Sequence, residues 1–476
     1  MLTEQPQSDV TALNDVAKRR EHSNTLPNLV LDESMTGRHT PDPLKFAFDK
    51  KSSAHAGGGM RKPIAKTDMA AQFAQMFNTQ KGTGNKRVIY IHIPFCQVRC
   101  TYCNFFEYAS SQKLIDEYFE VLVKEIKLRA AQPWTQVSPF HAVYIGGGTP
   151  TDLTASQIER LGKLIRQSFP LHNDCEITFE GRIHKFSDDK FAAAIEGGFN
   201  RFSFGVQSFN TKVRRAAKRL DDREVVMARL RHFAQQDVAP IVIDLLLGLP
   251  HMTAEIFAQD LEDFKQTGAH GVDLYQLIGM EGLPMHRMVE QGKLPAPMNT
   301  AEKAELFKMG EAYLASHQYR QLSACHWAND ARERSLYNSY AKTSAEVLPI
   351  GAGAGGNVAG FAYMQTRDLK AYSSAIESQQ VPAMMLIQQH PHAMLQGFIK
   401  ASMDKGMLDL NKLAHMMSSL DEHLFASCRP LLQAWQENGL VDIANNYVVA
   451  TQAGRFWAVN LAQALLKCVD QGTAGK

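Results

Sequence analysis

No apolar run in the 476 residues approaches the roughly 18 to 20 that a membrane-spanning helix needs. The first residues, MLTEQPQSDV, lack the charged-then-apolar order of a secretory signal. Both absences predict a cytoplasmic protein with no membrane span. Net charge is nearly absent too, because 51 basic residues stand against 49 acidic ones and leave +2. No global field therefore draws the chain to nucleic acid or anionic lipid, and binding must come from a local site. Cysteine is scarce, seven in all: Cys175, Cys325, Cys428 and Cys468 are scattered, whereas Cys96, Cys100 and Cys103 crowd into eight positions. A secreted disulfide framework would spread its cysteines through a small domain, so the cluster reads as a metal site. What is plentiful is globular material, 45% hydrophobic and 21% charged, at a length that suits one large domain or two to three ordinary ones.

Residues 1–86 are polar and broken by Pro and Gly, as in PDP at 41–43 and HAGGGMRK at 55–62, with one weak helical stretch near 65–78. This predicts an extension that packs onto, or hangs from, a later core. From 87 to 300, short apolar runs alternate with longer helical patterns. RVIYIHI, HAVYI, CEITFE, RFSFGV, PIVIDLLL and VDLYQLI are predicted strands, and helices are predicted over 111–131, 154–169, 187–197, 210–236 and 253–267. Six strands with helical crossovers predict an α/β fold with a parallel sheet covered by helices. Periodicity does not separate an open doubly wound sheet from a closed or partial barrel. Residues 301–380 are less regular and hold a glycine-rich turn, PIGAGAGG at 349–356. Residues 381–476 read as helices with one hairpin over 439–451, a small winged-helix-like domain.

The sharpest motif is HIPFCQVRCTYCNFF, directly after the first strand, with three and then two residues between its cysteines. Thiolates suit zinc or iron–sulfur clusters. Structural zinc usually closes with paired C-x2-C units, and no second pair exists here. Three cysteines on one loop instead suit a [4Fe–4S] cube with one iron left free for a substrate or cofactor. A zinc site completed by His92 or a distant His is the alternative. Gly146, Gly147 and Gly148 end the second strand, where missing side chains let backbone amides approach a charged ligand, although the tract alone also fits a mere tight turn. Glu180 ends the third strand, as a hydrogen-bond acceptor or a plain solvated carboxylate. Gln207 ends the fourth strand, Arg219 follows in a helical stretch, and Asp244 sits inside IVIDLLL. Burying that carboxylate is costly unless it is paired, so it needs Arg219 or a ligand amine.

Together these motifs resemble the radical S-adenosylmethionine (SAM) superfamily, and YIHIPFC is similar to its oxygen-independent coproporphyrinogen oxidase (HemN-like) branch. Supporting blocks are YIGGGTPT (144–151), FNRFSFGVQSFN (199–210), IDLLLGLP (243–250) and GAGAGG (351–356), so the resemblance runs from about residue 87 to the C-terminus. It implies a partial parallel (β/α)6 barrel, a [4Fe–4S] cluster on Cys96, Cys100 and Cys103, and two SAM molecules. The first SAM would lie on Tyr90, Gly147, Glu180 and Ile278, and the second on Tyr102, Gly148, Thr149, Gln207, Arg219 and Asp244.

Three departures choose the branch. Coproporphyrinogen oxidases carry a further cysteine two residues after the third ligand, where this chain has Phe105. Heme chaperones carry His-Asn before the glycine turn, where the comparable stretch is Arg334-Ser335-Leu336-Tyr337. Both follow the third strand with an acid and a Pro-containing turn, where this chain has Glu180-Gly181-Arg182-Ile183-His184. EGRIHKF, YQLIGMEGLPMHRM and SACHWAND are similar to the heme-utilisation branch, the anaerobic heme-degrading radical-SAM methyltransferases (HutW/ChuW). That branch implies that a SAM-derived radical activates the methyl group of a second SAM, which adds to heme, opens the macrocycle and releases iron. Arg182, His184, His326 and Trp327 would contact heme, and a low-potential donor such as a flavodoxin or flavin reductase would supply electrons. A coproporphyrinogen dehydrogenase and a heme-binding chaperone stay open as alternatives.

Overall fold

RVIYIHI is buried at every position but Tyr90, as a central parallel strand covered on both faces must be. It forms β1 (Arg87–Ile93), followed by the two-residue strands β2 (Phe95–Cys96) and β3 (Tyr108–Ala109). The other expected runs become β4 (Phe140–Gly147), β5 (Leu171–Gly181), β6 (Arg201–Gln207), β7 (Ile241–Leu247) and β8 (Gly271–Gln276). The computed structural model describes residues 30–52, 63–80, 82, 84–104, 108–279 and 281–473.

β1 and β4 to β8 are parallel neighbours in chain order, as expected. The sheet then grows beyond them with β9 (Arg320–Gln321), β10 (His326–Ala328), β11 (Glu346–Ile350), β12 (Gly355–Val358), β13 (Phe361–Gln365) and β14 (Ala383–Gln388). Its order is β14-β13-β12-β11-β1-β4-β5-β6-β7-β8-β10-β9. β11 runs parallel to β1, whereas β9, β10 and β12 to β14 are antiparallel to their neighbours. The edges β14 and β9 do not pair with each other, so the barrel is partial. The boundary expected at 381 falls just before β14, which belongs to this main sheet.

Helices Gln112–Ala130, Ala155–Ser168, Asp188–Gly197, Arg223–Gln235 and Ala254–Thr267 cover the outer face. Their starts follow local chemistry. Thr154 and Gln157 form a reciprocal capping box, and Ser111 and Thr253 accept hydrogen bonds from first-turn amides. Stacked rings of Phe191, Phe202, Phe204 and Phe233 lock this layer onto β6. Side chains alternate across each strand, so the inner face receives Tyr90, Tyr144, Glu180, Arg201, Asp244 and Asp273, in registers that set Tyr90 beside Tyr144 and Asp244 beside Asp273.

The described part of the N-terminal extension packs onto the far end of the chain. Trp435 Nε1 donates to the Met35 carbonyl at 2.8 Å, and Trp457 Nε1 to that of Leu44 at 3.0 Å. Beyond 390, helices surround a sheet of β15 (Met407–Asp409), β16 (Val441–Ala444) and β17 (Tyr447–Ala450), which adds one strand to the expected hairpin. No described helix is long and apolar enough to cross a membrane.

Candidate active site

The cysteine loop leaves β2 at the C-terminal end of β1. Thr101 anchors it, its amide and hydroxyl donating to the carbonyls of Ala217 (3.4 Å) and Ala216 (3.0 Å), while Met285 N donates back to Thr101 O at 2.8 Å. Cys96 and Cys100 are buried and Cys103 is half-buried. Phe105, where the branches differ, lies outside the described residues. Thr149 Oγ1 donates to Cys96 Sγ at 3.3 Å, and Arg182 Nη2 stands 3.6 Å from the same sulfur. Burial pushes the Cys96 thiol up, and Thr149 and Arg182 pull it back toward the thiolate a metal needs. Among the described residues, the one trio of candidate donors with ligand atoms within 4.8 Å of one another is Asp237, His270 and Asp330. There Arg332 already bonds Asp330 at 2.7 Å and pairs with Asp237.

Gly147 and Gly148 bolt the end of β4 to this loop. Gly147 has φ +118°, and a Cβ there would stand 2.8 Å from the Ile93 carbonyl and 2.9 Å from the His92 ring. A Cβ on Gly148 would collide with the Phe95 backbone. Beside them, Tyr90 Oη and His92 Nδ1 are 2.9 Å apart. Glu180 is surrounded by protein yet keeps surface open to the lumen. Burial raises its carboxyl to about 7, against the opposing pull of Tyr144 and Arg219.

The second group of residues depends on a break that periodicity missed. The helix expected over 210–236 is two, Thr211–Ala216 and Arg223–Gln235, separated where Lys218 takes φ 57°. The break turns Arg219 inward, where Nη2 donates to Tyr102 Oη at 3.0 Å and buried Nε has no partner among the described residues. Gln207, at φ 74°, sits at a register shift between β6 and β7 that re-aims its side chain. A Cβ on Gly205 would stand 2.7 Å from Gln207 Nε2 and 3.0 Å from Arg219 Nη2, so that glycine keeps the space open. Burial, with Asp273 and Glu180 beside it, holds the Asp244 carboxyl well above its usual range. Among the described residues no ion pair joins Asp244 to Arg219, the first of the two partners considered for it.

Arg182 and His184 line a partly open cleft together with Gln97, Thr149, Arg219 and Leu220. His184 Nδ1 is already engaged with Asp221 at 2.7 Å. Two expectations are corrected. Trp327, paired with Val272, faces the outer layer and packs on Phe307 with ring centres 6.1 Å apart. His326 spends both ring nitrogens on carboxylates, Asp273 and Glu333, each at 3.0 Å, and neither is free for heme iron. Ile278 is exposed on the loop after β8. The structure adds lumen residues not foreseen: Tyr144, Tyr337, Asp273 and Tyr275. Tyr337 stacks 4.8 Å from Tyr144 and 6.0 Å from Tyr90. Asp273 carried the same signal as Asp244, an acid inside an apolar strand. Tyr337 carried none.

Residues 90–264 match the family described as the Radical SAM superfamily. The chain is 34% identical over 409 residues to an anaerobilin synthase of Escherichia coli O157:H7, across 86% of this chain and 90% of that one. The protein is a radical SAM protein of the HemN-like branch. It is 28% identical over 387 residues to an oxygen-independent coproporphyrinogen III oxidase of Salmonella typhimurium, across 78% and 84% of the two chains. The solved coproporphyrinogen III oxidase (HemN) of Escherichia coli, a radical SAM enzyme, superposes with a TM-score of 0.72 at 26% identity over 84% of this chain and 93% of that one. The radical SAM core thus implies a [4Fe–4S] cluster and SAM.

Proposed function

We propose that this radical SAM enzyme opens the heme macrocycle anaerobically, methylating it with a second SAM and releasing iron and a linear tetrapyrrole. The observation that carries the proposal is the open state of Arg219 and Asp244. They feel one another's charge along one lumen without pairing, and Arg219 Nε has no partner among the described residues. The amino-acid end of SAM carries a carboxylate and an ammonium, which would satisfy both groups at once. Tyr90, Gly147 and Glu180 form a separate set for the first SAM.

Bound to Cys96, Cys100 and Cys103, the cluster would supply the electron that cleaves SAM. The chain's own residues do the rest by placement. Arg182 and Thr149 favour the Cys96 thiolate, Glu180 accepts the SAM amine, and the barrel wall excludes water from the reacting atoms. The higher identity to the anaerobilin synthase supports heme over coproporphyrinogen, as does Phe105 in place of cysteine. The structural match to the coproporphyrinogen oxidase keeps propionate decarboxylation as the second reading. The test is anaerobic turnover of heme with reductant, such as a flavodoxin system, and SAM deuterated on its methyl group. A tetrapyrrole that carries label and has lost the heme band, alongside 5′-deoxyadenosine and S-adenosylhomocysteine, is the expected outcome. Decarboxylated coproporphyrinogen would instead establish the second reading, and unchanged bound heme a chaperone.

A further inference from the structure

The helix Thr211–Ala216 closes through two backbone bonds, Lys218 N donating to the Arg215 carbonyl at 3.0 Å and Arg219 N to that of Arg214 at 2.8 Å. This closure needs one left-handed residue, and Lys218 supplies it at φ 57°, where glycine is the least costly choice. A lysine holds the position instead. Its side chain lines the partly open cleft beside the cysteine loop, next to Arg219 and Leu220.

The cations of that cleft are not held by carboxylates. Arg182, Arg214, Lys218 and Arg219 all line it, and among the described residues none of the four makes an ion pair. Arg214 spends Nε on the Asp221 carbonyl and Nη1 on those of Val206 and Ser208, at 2.7 to 3.0 Å. Arg182 Nη1 donates to the Val98 carbonyl at 2.9 Å. The two carboxylates on the walls are engaged as well, Asp221 with His184 Nδ1 at 2.7 Å and Asp152 with Gln97 N at 3.1 Å. Lys218 alone of the four cations makes no side-chain hydrogen bond among the described residues, so its ammonium is available to an incoming anion.

Depth decides which anion. Arg219 is only 9% exposed, where it suits the SAM carboxylate. Lys218 is exposed, and Leu220, two residues on, is 39% exposed on the same cleft. An anion that reaches Lys218 therefore belongs to a body lying across the opening, against an apolar side chain. We infer that Lys218 seats a propionate of a heme-class tetrapyrrole at the opening of this cleft. The inference rests on the heme reading above and deepens it, because it names a residue that separates a tetrapyrrole with free propionates from one without.

The test measures binding to the full reconstituted chain, anaerobically and without reductant. Heme and heme dimethyl ester, whose propionates are blocked, are followed by absorbance, and SAM by calorimetry. Wild type should bind heme at least about tenfold more tightly than the ester. Lys218→Gly removes the ammonium but suits the left-handed backbone, so the fold should hold. It should weaken heme binding about tenfold and leave ester and SAM binding unchanged, whereas Lys218→Arg should keep the preference for heme. A preference that is absent in wild type or persists in Lys218→Gly, or an equal loss for heme and ester, overturns the seat and leaves the heme reading standing. So does a loss for SAM alone, which would give the ammonium to the SAM carboxylate. Failure of wild type to bind either tetrapyrrole overturns both.

Discussion

At the base of the barrel Arg201, Glu333, His326 and Asp273 form a chain of buried charges of alternating sign, whereas Glu180 and Asp244 make no ion pair among the described residues. Arg201 forks onto Glu333 through contacts of 2.9 to 3.1 Å, Glu333 meets His326, and His326 meets Asp273. Burial opposes the Glu333 charge, yet Arg201 and His326 outweigh it and hold the carboxyl at about 2. Burial likewise opposes the His326 charge, yet Asp273 and Glu333 lift its imidazole to about 9. Glu180 on β5 and Asp244 on β7 shift the other way because nothing comparable compensates their burial. A matched buried charge is a fixed part of the fold, and an unmatched one is a place prepared for a ligand.

The largest effect should come from removing a cluster ligand. Cys100→Ala should take bound iron from about four per chain to near none and abolish SAM cleavage, whereas Cys428→Ala should leave the iron untouched. Iron analysis of the two variants decides it. Next comes the base. Glu333→Ala would leave Arg201 and His326 buried without their shared counter-charge, and urea unfolding should show a loss of about 3–5 kcal/mol. A loss below about 1 kcal/mol would erase the contrast between base and mouth.

At the mouth the same kind of change should cost activity and spare stability. Asp244→Asn removes a carboxylate that Asp273 and Glu180 already disfavour, so unfolding free energy should hold within about 1 kcal/mol. Methylated product should still fall at least about tenfold while 5′-deoxyadenosine continues to form. Parallel loss of both products would contradict two separate SAM sites.

The smallest effects are those of pH, and they differ in sign. His326, raised from about 6.5 to about 9, contributes stability that is complete below pH 6.5 and lost as pH rises through 9. Glu333, lowered from about 4.5 to about 2, contributes stability that is complete above pH 4.5 and lost as pH falls through 2. Glu180 does the reverse for a ligand: SAM affinity should decline as pH falls below about 7 and its carboxylate takes up a proton. Glu180→Gln should flatten that decline in a titration from pH 6 to 8.

Much of this contrast was legible in the chain. The six parallel strands and the helix Ala254–Thr267 appear within a few residues of their expected bounds, because alternation, apolar runs and caps act over short windows. The cysteine loop and the Gly147-Gly148 turn were legible for the same reason. The break at Lys218 was not, since RRAAKRLDD continues a helical pattern and is bent where the cysteine loop docks onto Ala216 and Ala217. His326 and Trp327 looked equivalent, yet strand alternation sends one into the lumen and the other into the helical layer.

The sequence by itself determined where strands and helices form, which three sulfurs share a loop, and which residue types stand at strand ends, because each depends on neighbours close along the chain. The tertiary structure alone decided which charges are matched. Arg201 and Glu333 are 132 residues apart, and Ser52 and Asn460, which dock the N-terminal extension onto the far end of the chain, are 408 apart. Such meetings are set by strand register and by the docking of distant segments, and their energies arise only once burial has removed water from both partners.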